Sequence, residues 1–288
     1  MTSLRHALAG LALAGLQGSA AAQAAAQAAA CPTSMASYAV AWLGDDHFGV
    51  TATLGLPTTR FDLRFSEAIG RPEGQAASVS ALEGWDAGGR SVAINYVGEG
   101  GWEAASPVRR IGYRITADHD DVRWTGGGMD EVASHFGETY FFVGNAFFLL
   151  DYDWPPCPIE VAFELPADWS VLSPWSGTGR SFEASEPATL EKNAFAVGKF
   201  TAGHADAGTM QLSWVIDERV ASVASELVPM MRTLPGVYAR WFGSTPADRY
   251  AVVVFQGPYP DGGAFRQSFT LQLMAPVRAI DRISWGHG

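Results

Sequence analysis

What most constrains this chain is a succession of short runs in which apolar residues alternate with polar or small ones. Ser37 to Trp42, Phe61 to Phe65, Ser91 to Val97, Arg110 to Thr116 and Ile159 to Leu165 all follow this pattern. Successive side chains of a strand point to opposite faces, so a period of two buries one face and leaves the other in water. Glycine and proline clusters stand between the runs, at Gly70 to Gly74, Gly84 to Gly89, Gly98 to Gly101 and Gly126 to Gly128. Many short strands with such turns predict an antiparallel β-sandwich. No repeat of about 20 to 50 residues is visible, which sets propellers and solenoids aside.

The character changes near Asn193. Phe195 to Phe200 and Thr209 to Ile216 read as strands ahead of the strongest helical signal, Arg219 to Gly243. There Val220, Val223, Leu227, Met231, Leu234, Tyr238 and Trp241 recur every three or four residues, which predicts one buried helical face. Pro229 and Pro235 each remove a helical hydrogen bond, so a kink or a second helix from Pro235 is expected, with Gly243 as the stop. Arg249 to Phe255 is an apolar, β-branched strand, Gln256 to Gly263 is rich in turn residues, and Phe265 to Met274 is a further strand. The expected organisation is a leader over 1–30, a β-sandwich over 31–192 and the start of an α/β unit over 193–288. With 48% hydrophobic and 12% aromatic residues in 288, there is material for both cores.

Residues 1–30 carry Arg5, a short apolar stretch from Ala7 to Leu16, and small residues from Gly18 to Ala30 with Ala-x-Ala sites such as Ala20 to Ala22. This is the pattern of a removable export signal. It is too short and broken to span a bilayer, which needs roughly 20 apolar residues. The longest other apolar run, Tyr140 to Leu150, is interrupted by Gly144 and Asn145, so no transmembrane segment is expected and the mature chain should be periplasmic or extracellular. A formal charge of −11 argues against nucleic acid, whose phosphates need a basic surface. Two cysteines, Cys31 and Cys157, would meet oxidising conditions and can pair. The competing expectation is lipidation of Cys31; against it, Ala28 stands where lipoproteins usually carry leucine, and Cys31 lies far beyond the apolar core of the leader.

Most polar clusters have a plain structural explanation. Asp45-Asp46-His47 and Asp118 to Asp121 read as solvated turns, because neighbouring strand residues face opposite ways and cannot all reach one ion. Asp151 and Asp153 lack the graded ligands and glycine of a calcium loop. Trp154, Trp169 and Trp175 are expected to pack the sandwich and its rim, a carbohydrate platform being the lesser reading. There is no Gly-x-Ser-x-Gly elbow, no phosphate-binding Gly-x-x-x-x-Gly-Lys and no Rossmann fingerprint.

Four stretches, Phe136 to Phe142, Val161 to Trp169, Ser225 to Gly243 and Arg249 to Met274, occur in an order that resembles the glycyl aminopeptidase family, metallopeptidase family sixty-one of the gluzincin type. The leukotriene-hydrolase and alanyl aminopeptidase group is similar at greater distance. The resemblance spans about residues 37 to 288. It implies a mainly β fold: an antiparallel β-sandwich followed by an incomplete thermolysin-like α/β catalytic subdomain. In such peptidases a strand, a proline-rich loop and a Gly-Gly edge strand precede a helix carrying His-Glu-x-x-His, which holds zinc. None of the six histidines, His6, His47, His119, His135, His204 and His287, begins that motif. No catalytic residue or metal ligand is therefore assigned in this chain, and zinc is expected only for a full-length relative.

The family element that is present is Gly262-Gly263, followed by Ala264 and Phe265. By resemblance these four residues pair with the backbone of a peptide or protein substrate. Aminopeptidases of this type carry a glutamate two residues after the second glycine to hold the substrate's free amine. Phe265 occupies that position and cannot neutralise an ammonium group. The functional expectation is the N-terminal portion of an exported zinc metallopeptidase, without its zinc motif. The alternative is a catalytically silent, exported β-sandwich protein that binds peptides.

Overall fold

The structure, a computed structural model, describes residues 31–63, 73–117, 134–245, 247–257 and 260–274. The leader, the Asp118 to Asp121 cluster and His287 lie outside the described residues. The fold is mainly β, and the described residues form three sheets.

The largest sheet runs in the order Ser176–Thr178, Ser181–Ala184, Ile159–Glu164, Ala36–Gly44, His47–Asp62, Gly101–Thr116, Val79–Trp85, Ser91–Val92. A ninth strand, Ile94–Gly98, pairs with Gly101–Thr116 off this path. All but one of its pairings are antiparallel; Ala36–Gly44 lies parallel to Ile159–Glu164. Phe61 to Asp62, expected in a strand of its own, ends a 16-residue strand instead. Register shifts between Thr53 and Arg60 let that long strand follow the twist of its neighbour. Ile159–Glu164 keeps strict alternation of buried and exposed residues, as its sequence predicts.

Above this sheet lies a four-stranded one, in the order Ser170–Leu172, Ala194–Gly198, Thr139–Val143, Ser134–Phe136. Phe48 of the large sheet meets Phe142 edge-to-face with centroids 5.3 Å apart, and Tyr38 meets Phe148 in the same way at 5.0 Å. Each such ring, fully buried, is worth about 1.5–3 kcal/mol of transfer free energy. Thr139–Val143 and Ala194–Gly198 are buried at every position. The reason is that the four-stranded sheet is a middle layer: Phe142 faces the sandwich core while Phe141 faces Phe255 of the next sheet, at 4.3 Å between centroids. A strand covered on both faces loses its period of two. Phe195 and its neighbours thus belong to the sandwich side, and the change of sheet falls between Gly198 and Gly203.

The third sheet is five-stranded and mixed, in the order Gly203–Ala207, Met210–Ile216, Arg249–Gln256, Ser268–Leu273, Asp261–Ala264. Its three inner strands run parallel and the two outer ones antiparallel to their neighbours. One face packs on the four-stranded layer through Val215, Ala251 and Val253. The other, through Leu212, Val252 and Val254, receives the helix Ala224–Phe242.

That helix sets aside a second helix from Pro235 and corrects the expected extent of the buried face. It is a single 19-residue element with Pro229 and Pro235 inside it, preceded by a 3-10 turn over Glu218–Val223 and closed by Gly243 at φ +81°. The buried face also stops halfway. Val220, Val223, Leu227 and Met231 are buried, but Leu234 is 40%, Tyr238 45% and Trp241 80% exposed. The last two turns keep the apolar spacing but have no described layer against them. Cys31 and Cys157 are joined by a disulfide with Cα atoms 5.7 Å apart, which ties residue 31 to the Pro155–Pro158 loop. No helix among the described residues is long and apolar enough to cross a membrane.

Candidate functional site

Among the described residues the third sheet has two edge strands, Gly203–Ala207 and Asp261–Ala264, and the second carries the Gly-Gly element. Gln256 to Gly263 was expected to be a turn and Phe265 to begin a strand. The structure instead makes Asp261–Ala264 a short strand and puts Phe265 to Gln267 in the turn that leads to Ser268–Leu273. Asp-Gly-Gly is turn-forming composition, and it is the partner strand that holds it extended. Gly262 is glycine for want of space, since a Cβ there would sit 2.8 Å from the Thr270 carbonyl oxygen.

The direction of each backbone group follows from the register. Asp261 lies opposite Gln272, Gly262 opposite Leu271, Gly263 opposite Thr270 and Ala264 opposite Phe269. The Phe265 N–H donates to Ser268 O at 2.9 Å, and the Gly263 N–H donates to the Thr270 hydroxyl at 3.1 Å. In an antiparallel pair, residues that bond inward alternate with residues whose N–H and C=O point outward. Gly262 and Ala264 are the outward ones. The Gly262 N–H is taken by Asp261 Oδ1 at 2.9 Å. Among the described residues, nothing pairs with the Gly262 carbonyl or with the main-chain groups of Ala264 on that side.

Two anchors hold this hairpin to the middle layer. Asn193, fully buried, accepts from the Gln267 N–H at 2.6 Å and the Ser268 hydroxyl at 3.1 Å, and donates to Thr189 O at 2.8 Å. Arg266 forms an ion pair with Glu186, and its N–H donates to Lys192 O at 3.1 Å. Neither anchor could be found in the sequence, because a single Asn or Arg among loop residues carries no periodic signal.

Beside the edge, a cleft of about 690 Å3 opens between the sheet and the long helix. Tyr250, Phe269 and Leu271 floor it, and Met230, Leu234 and Tyr238 form its wall. Burial, with the nearby Tyr238 hydroxyl adding to it, pushes the Tyr250 phenol up to about 12, so the floor stays neutral at physiological pH. Asp261 and Arg266 are the charged residues lining this cleft.

The remaining clusters are structural. Asp46 sits in the hairpin turn at φ +59° and accepts from the Tyr140 hydroxyl. Asp151 accepts from the Thr58 hydroxyl and from the Asp153 N–H at 3.0 Å. Trp154, Trp169 and Trp175 are buried, so they make no exposed platform. Among the described residues no three or more of His, Cys, Asp and Glu come together in a way that could hold a metal ion.

Neither protein-family models nor curated proteins match this sequence. Solved structures do share its fold. An aminopeptidase N family protein from Idiomarina loihiensis superposes with a TM-score of 0.67 at 17% identity, over 87% of this chain and 46% of that one. A mutant M1 zinc metallopeptidase from Deinococcus radiodurans gives 0.50 at 16% identity, over 86% and 61%. The chain thus has the β-rich fold of the N-terminal region of zinc aminopeptidase structures, and spans about half to three fifths of their length.

Proposed function

We propose that this chain is the front portion of an exported zinc metallopeptidase of the glycyl aminopeptidase kind, and that Gly262 to Ala264 is its peptide-pairing edge. The observation that carries the reading is the Asp261–Ala264 edge of the mixed sheet, where Gly262 C=O and Ala264 N–H and C=O face outward beside a mainly apolar cleft. An extended peptide can add to such an edge by main-chain bonds alone. The shared fold with zinc aminopeptidase structures supports the family.

In this reading the cleft seats the segment that would bear His-Glu-x-x-His, which its apolar floor and the bare face of Leu234, Tyr238 and Trp241 would cover. Among the described residues no group of ligands fits a zinc ion. The leader over 1–30 would direct export. Phe265, in the turn, offers no charge to a free amine, so pairing should not require an unblocked peptide terminus.

The test is Ala264→Pro in the full chain. The substitution removes an outward-facing N–H, which an edge strand tolerates. Binding of an extended, end-blocked peptide should be lost while thermal unfolding is unchanged. Undiminished binding would mean that the edge is not the site.

A further inference from the structure

Asp261 differs from the other carboxylates among the described residues in one respect. Its Oδ1 is occupied by the Gly262 N–H, but its Oδ2 is shielded from water and has no hydrogen-bond partner. A carboxylate oxygen withdrawn from water without a donor is unfavourable, and the usual resolution is a cation. The protein's own cations near the cleft are engaged: Arg266 is paired with Glu186, and Arg232 lies over the Trp214 ring at 5.9 Å. No described residue supplies a cation to it.

The strand geometry points to a source for one. Asp261 opens the free edge strand, and directly opposed residues of paired strands project to the same face. A peptide added along Gly262 to Ala264 would place one of its side chains opposite Asp261, on the face that Asp261 shares with Thr270 and Gln272. Only a basic side chain supplies both the charge and the donors that Oδ2 lacks.

We propose that Asp261 is the specificity-determining residue of the edge strand and holds a lysine or arginine side chain of the bound peptide. This rests on the peptide-pairing role given above to the edge. The ligand class is then an extended, basic peptide read by one side-chain charge on top of main-chain bonds.

The experiment measures binding to the full chain of end-blocked, valine-rich pentapeptides in which one residue, moved through the sequence, is lysine, norleucine or glutamate. Blocking both ends removes the terminal charges, and norleucine keeps the alkyl stem of lysine without its ammonium. In one register lysine should bind about 10-fold tighter than norleucine at low salt, and Asp261→Asn should reduce that ratio to about one without weakening norleucine binding. Equal binding of lysine and norleucine in every register, with both abolished by Ala264→Pro, would overturn the role of Asp261 and leave the edge standing. Binding that Ala264→Pro does not affect, or no binding at all, would overturn the edge and this inference with it.

Discussion

Replacing Asn193 by alanine should detach the edge hairpin from the sandwich. The side chain makes three hydrogen bonds, to Gln267 N, Ser268 Oγ and Thr189 O, and it is fully buried. Two of the three partners keep another bond. Thr189 O still receives the Trp175 indole N–H at 3.1 Å, and Ser268 Oγ still receives the Ala194 N–H at 2.8 Å. The Gln267 N–H is left with nothing. One orphaned donor costs about 1–3 kcal/mol and two weakened sites add about 0.5–1 each, so the expected loss is roughly 2–5 kcal/mol. That is a large part of a typical 5–15 kcal/mol stability. Urea unfolding gives the total, and hydrogen exchange locates it: amides of Asp261–Ala264 and Ser268–Leu273 should lose protection before those of Ala36–Gly44. A change below about 0.5 kcal/mol, typical of an unimportant surface site, would refute the reasoning. So would loss of protection spread evenly over the chain.

Three further outcomes follow from the same contacts. Reducing the Cys31–Cys157 bridge, which spans 126 residues of sequence, should lower stability by up to about 4–5 kcal/mol on the chain-entropy model, read as a fall in urea midpoint. Burial alone would raise the Asp217 carboxyl, but hydrogen bonds from the Arg219 side chain and the Gln256 and Arg219 N–H groups outweigh it and hold it below the ordinary carboxylate value. Its contribution to stability is therefore present above the unfolded value and lost as pH falls through the folded one; Asp217→Asn should flatten the fall in unfolding free energy between about pH 5 and pH 2. Exchanging Trp241 and Phe242, 80% and 75% exposed, for serine should leave thermal unfolding within about 1 °C and reduce self-association in sedimentation runs.

The sequence shows its fold wherever one face of an element meets water. Ile159–Glu164 alternates cleanly because the large sheet has a solvated side. Thr139–Val143 and Ala194–Gly198, in the middle layer, are buried on both faces, so nothing in their spacing reveals which sheet they join. That is why Phe195 reads as the start of a second unit and yet pairs with Phe142. The helix was legible through Val220 to Met231; beyond it, Leu234, Tyr238 and Trp241 continue a period that records what a face is suited to meet, not what lies there. The disulfide followed from having two cysteines to pair. The Gly-Gly element was visible as a motif, but Asp261 and Asn193 became site residues only through cross-strand register and a contact 74 positions away in sequence.

The most direct test of the central claim is the coding sequence downstream of the Gly288 codon. If the chain is the front portion of a zinc metallopeptidase, the frame stays open and soon encodes His-Glu-x-x-His on an amphipathic helix whose apolar face suits the cleft over Tyr250, Phe269 and Leu271. A stop codon directly after Gly288, reproduced in independent clones, would contradict it.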